Sequence, residues 1–140
     1  MREDVRSALA INRDTPPEQR TIDITTIGRR SGQPRRIEIV FRRFEDTIYL
    51  TGIPNARPRD WLLNLAAEPE FTFHLKNGIV ADLPAVATVI TEPAERRRIM
   101  SRFVEEFNES NTPDSGWPNQ VIDEWVENSP LARVDFPDTD

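Results

Sequence analysis

Two alternating runs separated by one glycine-bracketed turn decide what architecture this chain can adopt. From Arg20 the hydrophobic period becomes two, with Ile22 and Ile24 set against Asp23 and Thr25, so residues 20–27 read as a half-buried strand. Residues 35–43 alternate again, with Ile37, Ile39 and Phe41 on one face and Arg36, Glu38, Val40 and Arg42 on the other. Between them, GRRSGQP at 28–34 is a turn: Gly28 and Gly32 tolerate positive φ, and Pro34 presets its own. The pair forms a β-hairpin with an arginine-rich tip.

The same patterns recur downstream. Glu45-Asp46 suits a tight turn into a third strand at 47–51, and a helix near 58–67 carries Trp61, Leu62 and Leu65 until Pro69 stops it. Residues 71–76 alternate, Asn77-Gly78 is a hairpin turn signal, and 79–90 returns as a long strand in which Pro84 marks a bulge or an edge. Thr91 can cap a helix starting near Glu92-Pro93, whose buried stripe is Ile99, Met100, Phe103, Val104 and Phe107, with Arg96, Arg97 and Arg102 outside. Residues 108–119 are loop, 120–128 a helix, 131–136 a last strand, and a short helix at 3–12 precedes the linker at 15–18. Consecutive hairpins with flanking helices imply an α+β chain built on a mostly antiparallel barrel of about six strands.

At 140 residues the chain fits one domain, with an N-terminal helix and linker (1–19), a barrel core (20–90) and a C-terminal part (91–140). No run approaches the roughly 18 apolar residues of a membrane span, and the N-terminus lacks an apolar signal core, so a cytoplasmic protein is expected. The absence of Cys excludes disulfides and thiolate chemistry, and a single His excludes a His-rich metal centre.

The net charge of −6 disfavours nucleic acid as a partner. Its distribution says more. Residues 20–60 hold nine Arg against five acids, whereas 103–140 hold one Arg against ten. Arg29, Arg30, Arg35 and Arg36 lie within eight residues that contain no acid, a run that repels itself unless an anion or solvent relieves it. With Ser31, the tip suits a phosphate or carboxylate; the alternative is a solvated turn whose arginines pair with the acidic C-terminal third. His74 reads as an ordinary surface or partly buried histidine, with acid–base work as the alternative. No dinucleotide fingerprint or P-loop is present.

The block TTIGRRSGQPR at 25–35, followed by two strands and the helix Trp61-Leu62-Leu63-Asn64-Leu65, resembles the deazaflavin-dependent nitroreductase family. The resemblance spans roughly residues 20–90. It implies a split β-barrel, the deazaflavin coenzyme F(420) as cofactor, and a homodimer. It also implies site residues: Arg29, Arg30, Ser31 and Arg35 on the acidic tail, with Ile39, Val40, Thr51 and Gly52 bordering the ring system, Trp61 packing near it and Arg57 entering from the 52–58 loop. Three positions depart from the family pattern. Gly52 stands where members commonly carry Lys, Glu38 where a Pro is common, and Tyr49 is the only Tyr, so a tyrosine-rich substrate wall has no counterpart. Phe103, Phe107, Trp117 and Trp125 are the candidate replacements.

Such a cofactor would carry a hydride to a small electrophilic substrate, a quinone, an enone or a nitro compound, and require neither nucleophile nor metal. The proton could come from solvent, Tyr49 or His74. Two rival readings use the same barrel: an FMN-binding oxidoreductase of the pyridoxamine-phosphate-oxidase-like kind, and a non-catalytic binder of a flavin-like or apolar ligand.

Overall fold

The alternating run at the head of the barrel forms β1 (Thr21–Ile27), in which Ile22, Ile24 and Thr26 are buried and their neighbours half-buried. β2 (Pro34–Phe44) pairs antiparallel with it from Thr21↔Val40 to Ile27↔Pro34. The computed structural model describes residues 1–137; the last three residues lie outside it. β3 (Thr47–Thr51), β4 (Glu70–Leu75), β5 (Ala81–Val89) and β6 (Leu131–Asp135) complete a closed antiparallel barrel in the order β1-β2-β3-β6-β5-β4. The α+β split-barrel expectation is thereby met, strand for strand. Ile22, Ile24, Phe41, Leu50 and Phe73 fill the interior with no exposed surface, each contributing about 1.5–3 kcal/mol by burial.

Four helices decorate the barrel among the described residues. α1 (Glu3–Leu9) adds Val5 and Leu9 to the interior cluster, and α2 (Asp60–Ala67) adds Trp61 and Leu65. α3 (Pro93–Ser110) and α4 (Ile122–Asn128) form a second layer in which Ile99, Met100, Phe103 and Trp125 pack on Tyr49 and Leu131 of β3 and β6. No helix there is long and apolar enough to cross a membrane.

Several local expectations are corrected. The cap of α3 is Glu92, whose carboxylate accepts from the Glu95 N–H at 2.6 Å, and not Thr91. Phe107 is half-buried rather than in the core stripe. Arg96 turns inward instead of lying on the outer face. Its guanidinium donates to the carbonyls of Ile90, Trp125, Val126 and Ser129 at 2.8, 3.3, 2.9 and 2.5 Å. Pro84, expected at a bulge or an edge, takes the second of these: it sits in unbroken register opposite Thr72, and β6 pairs only with Val86–Val89.

β3 partners β2 only over Phe41–Phe44, whereas Pro34–Val40 pairs with β1 alone. Among the described residues no strand lies along the second edge of that half of β2, so its outward backbone donors and acceptors can meet a ligand.

Candidate functional site

The arginine-rich tip is built by two glycines with different roles. The Gly28 N–H donates to Gln33 O and the Gly32 N–H to Gly28 O, both at 2.8 Å, which closes the turn. A Cβ on Gly28 would lie 2.6 Å from Ser31 Oγ, while Gly32 adopts φ +69°, a left-handed conformation that glycine alone takes without strain. Ser31 is also engaged locally, accepting from the Gln33 N–H at 3.2 Å.

Asn64 of α2, buried to 5% exposure, holds the tip in place. Its Oδ1 accepts from the Arg29 N–H at 3.1 Å and from Arg29 Nη1 at 2.9 Å, and its Nδ2 donates to Thr26 Oγ1 at 3.3 Å. Arg29 is further paired with Asp60 at 3.3 Å. Arg29 therefore serves as a strut between hairpin and helix. Its residue type was legible; its partner was not, although Asn64 lies within the helix motif that carries the family resemblance. Replacing Asn64 with Leu is expected to leave the Arg29 N–H and the Thr26 hydroxyl unpaired and to lower stability by about 2–4 kcal/mol, read by urea denaturation. A change below about 0.5 kcal/mol would remove this role.

The side chains of Arg30 and Arg35 make no hydrogen bond or ion pair with any described residue, and the paired acids of the C-terminal third have other partners: Asp123 with Arg97, Glu106 with Arg102 and Glu109 with Arg13. The solvated-turn alternative, in which those acids neutralise the tip, is thus not what the described residues adopt. Between tip and α2 lies a cleft of about 390 Å³. Arg29, Arg30, Ser31 and Arg35 form its cationic rim, Trp61 and Ile37 its apolar wall, and Asn64 and Thr26 its floor.

The remaining expected site residues lie around the open edge of β2 or beyond it. Ile39 is half-buried against the barrel core, and Val40 is 41% exposed on the opposite face. Thr51 is buried, its hydroxyl donating to Pro130 O at 2.6 Å, and the adjoining Gly52 lies beneath the guanidinium of Arg59. Arg57 is exposed, its N–H bonded to Asn55 Oδ1 at 3.1 Å, and it does not line the tip cleft. Tyr49 is 4% exposed and packs edge-on against Phe103 at 5.9 Å, within the second core layer. Burial pushes its hydroxyl above the usual phenol range. Of the four aromatic candidates, Phe103 and Trp125 are core residues and Trp117 is exposed.

The outer face of the hairpin absorbs the two residues whose roles were open. His74, although on the polar face, is buried to 7%: Asp82 Oδ1 lies 2.7 Å from its Nδ1 and Thr25 Oγ1 2.7 Å from its Nε2, which ties β1, β4 and β5 together. It does not line the tip cleft. Glu38 points outward to Lys76, which also donates to Asp23 at 2.8 Å, while Arg36 reaches Asp23 at 2.9 Å. Its charge thus faces away from the tip cleft. The Lys76 hydrogen bond, against the opposing effect of desolvation and helped by Arg36, holds the Asp23 carboxyl below its usual 3.8. A carboxyl depressed in the folded state stabilises above its unfolded pKa and loses that contribution as pH falls through the folded one. The melting-temperature gap between wild type and Lys76→Met should therefore be present near neutrality and close as pH drops below 3.8. A gap that persists in acid would place its origin elsewhere.

Comparison with known proteins agrees with this fold. The model of the F(420)H(2)-dependent quinone reductase family matches residues 6–114. No curated protein matches the chain. Similar solved structures include a conserved hypothetical protein from Mycobacterium tuberculosis, 20% identical with a TM-score of 0.62 over 98% of this chain and 81% of that one. A FAD-binding protein from Mesorhizobium loti is 10% identical, with a TM-score of 0.62 over 95% and 87%. An F(420)H(2)-dependent reductase is 16% identical, with a TM-score of 0.53 over 83% and 94%. At these identities the structures speak for the fold.

Proposed function

The chain belongs to the F(420)H(2)-dependent quinone reductase family and is a deazaflavin-dependent oxidoreductase, and from that premise we propose that its tip cleft and the open edge of β2 are the cofactor site. The observation that carries the assignment is the pair Arg30 and Arg35, charged, exposed and without a side-chain partner among the described residues, on the rim of a cleft walled by Trp61 and Ile37. Guanidinium forks recognise phosphate and carboxylate oxygens in pairs, so these two suit the acidic tail. The open backbone edge of Pro34–Val40 offers hydrogen bonds to a planar polar ring.

When bound in its reduced form, the deazaflavin supplies a hydride from its ring carbon to an electrophilic acceptor, a quinone, enone or nitro compound, which then takes a proton from solvent. The protein's part is positional. Asn64 and Arg29 fix the tip against α2, Trp61 and Ile37 exclude water from one wall, and Arg30 and Arg35 orient the tail. The buried positions of Tyr49 and His74 favour solvent over either side chain as the proton source. A homodimer is part of this reading, tested by light scattering.

Fluorescence titration with oxidised F(420) and with FMN tests the assignment. The deazaflavin is expected to bind at least about tenfold more tightly. Binding of neither at tens of micromolar would remove it. Tighter FMN binding would favour the flavin reading, to which the shared fold of the FAD-binding protein lends its support.

A further inference from the structure

Two buried side-chain polar atoms have no hydrogen-bond partner among the described residues, Arg59 Nη1 and Ser129 Oγ. Both belong to residues that line one cleft of about 500 Å³, bounded by the 55–62 segment, the start of α3 and the end of α4. This cleft lies on the other flank of α2 from the tip. Asp60, Trp61 and Asn64 face the tip cleft, whereas Arg59 and Leu62 face this one. Buried polar groups are nearly always satisfied, so two unpaired donors on residues that line one concavity point to acceptor oxygens that a ligand would bring as these side chains turn toward it.

Neither donor is left over from a packing role. Ser129 is 4% exposed, and its carbonyl already binds Arg96. Arg96 lines the same cleft but spends its guanidinium on four carbonyls, which leaves Arg59 as the cation available there. Of the two acids on the lining, Asp123 pairs with Arg97 at 2.6 Å and Glu127 is exposed. Glycine at position 52 makes the arrangement feasible. A Cβ there would lie 3.0 Å from Arg59 Nη2 and 3.6 Å from Pro130 Cγ, so the missing side chain gives the guanidinium its room, and Arg59 and Pro130, both on the cleft lining, flank Gly52 just after β3.

A cationic donor and a hydroxyl donor suit a carboxylate, and the apolar surfaces of Leu62, Ile90 and Pro130 suit the ring or chain that bears it. We propose that this cleft binds the hydride acceptor through an acidic group held by Arg59 and Ser129, so that the preferred substrates are carboxylate-bearing quinones or enones. The acceptor role rests on the cofactor assignment above; the carboxylate site itself does not.

Calorimetric titration of the cofactor-free protein with 1-naphthoate and with the uncharged 1-naphthamide separates the two. Naphthoate should bind at least about tenfold more tightly, Arg59→Met should abolish that preference, and Ser129→Ala should weaken naphthoate several-fold at unchanged melting temperature, since its hydroxyl has no partner to lose. Should Arg59→Met fail to fold, the serine variant still decides. Equal binding of the two probes, no binding at millimolar concentration, or a preference that survives both substitutions overturns the site. With reduced F(420), a naphthoquinone carboxylate should show a lower KM than plain naphthoquinone, an advantage lost in Arg59→Met; equal KM values overturn the acceptor role. Naphthoate binding without any deazaflavin binding would sink the cofactor assignment alone. Deazaflavin binding with no naphthoate binding would sink this one alone.

Discussion

Replacing Arg30 and Arg35 together with alanine should weaken deazaflavin binding by about a hundredfold or more and leave the melting temperature within about 1 °C of wild type. A charge-assisted hydrogen bond contributes about 1.5–3 kcal/mol, and solvent at an exposed rim argues for the lower figure, so two arginines amount to roughly 3 kcal/mol. Neither side chain has a hydrogen-bond or ion-pair partner among the described residues, so the folded state should lose little when they go. Arg29→Ala provides the contrast: it removes the guanidinium's bonds to Asn64 and Asp60, keeps the backbone N–H bond to Asn64, and should lower stability as well as affinity. Affinity in the wild type should also fall with ionic strength, and that dependence should flatten in the double variant. If the double variant binds within about threefold of wild type, the tip does not hold the cofactor.

Arg96→Met should produce the largest loss of stability, about 3–5 kcal/mol, visible as a melting temperature lower by roughly 10 °C. Its guanidinium reaches from the first turn of α3 to three carbonyls at and after the end of α4 and to Ile90. The C-terminal carbonyls of a helix carry partial negative charge; Trp125 O also accepts from the Ser129 N–H at 3.0 Å, whereas Val126 O and Ser129 O have Arg96 as their side-chain donor. Removing the cation leaves several half-buried acceptors to find water. Lysine should recover only part of the loss, since one ammonium cannot reproduce the fork that spans four carbonyls. Because the same contact places Ser129, the methionine variant should also loosen the cleft on that flank of α2. A melting temperature within about 2 °C of wild type would show that α4 is held by its apolar face, chiefly Trp125, and not by this arginine.

The hairpin, its arginine-rich tip and the succession of strands and helices along the chain are legible in the sequence because each rests on local physics; the pairings β1–β4, β3–β6 and β5–β6 that close the barrel are not. Alternation with period two, glycines at a turn and a proline that ends a helix act over a few residues and do not depend on what lies opposite. The outward direction of Glu38 also follows from alternation once Ile37 and Ile39 are taken as the inner face, although the sequence does not indicate that Lys76 receives it. Arg96 shows the opposite case. Helical spacing puts it on the outer face of α3, and only the packing of α4 against that helix supplies the four carbonyls that draw it in. His74 is similar, polar by position yet buried because Thr25 and Asp82 close over it from neighbouring strands.

By itself, then, the sequence determined the hairpin and the cationic, anion-seeking character of its tip, since both are properties of residues close in the chain. The tertiary structure decided which arginines are free for a ligand. Arg29 is taken by Asn64, 35 positions away, Arg36 by Asp23 across the hairpin, and Arg59 is held over a glycine with one nitrogen unpaired. A guanidinium's availability depends on which acceptors the fold brings within hydrogen-bond distance, and no local pattern encodes that.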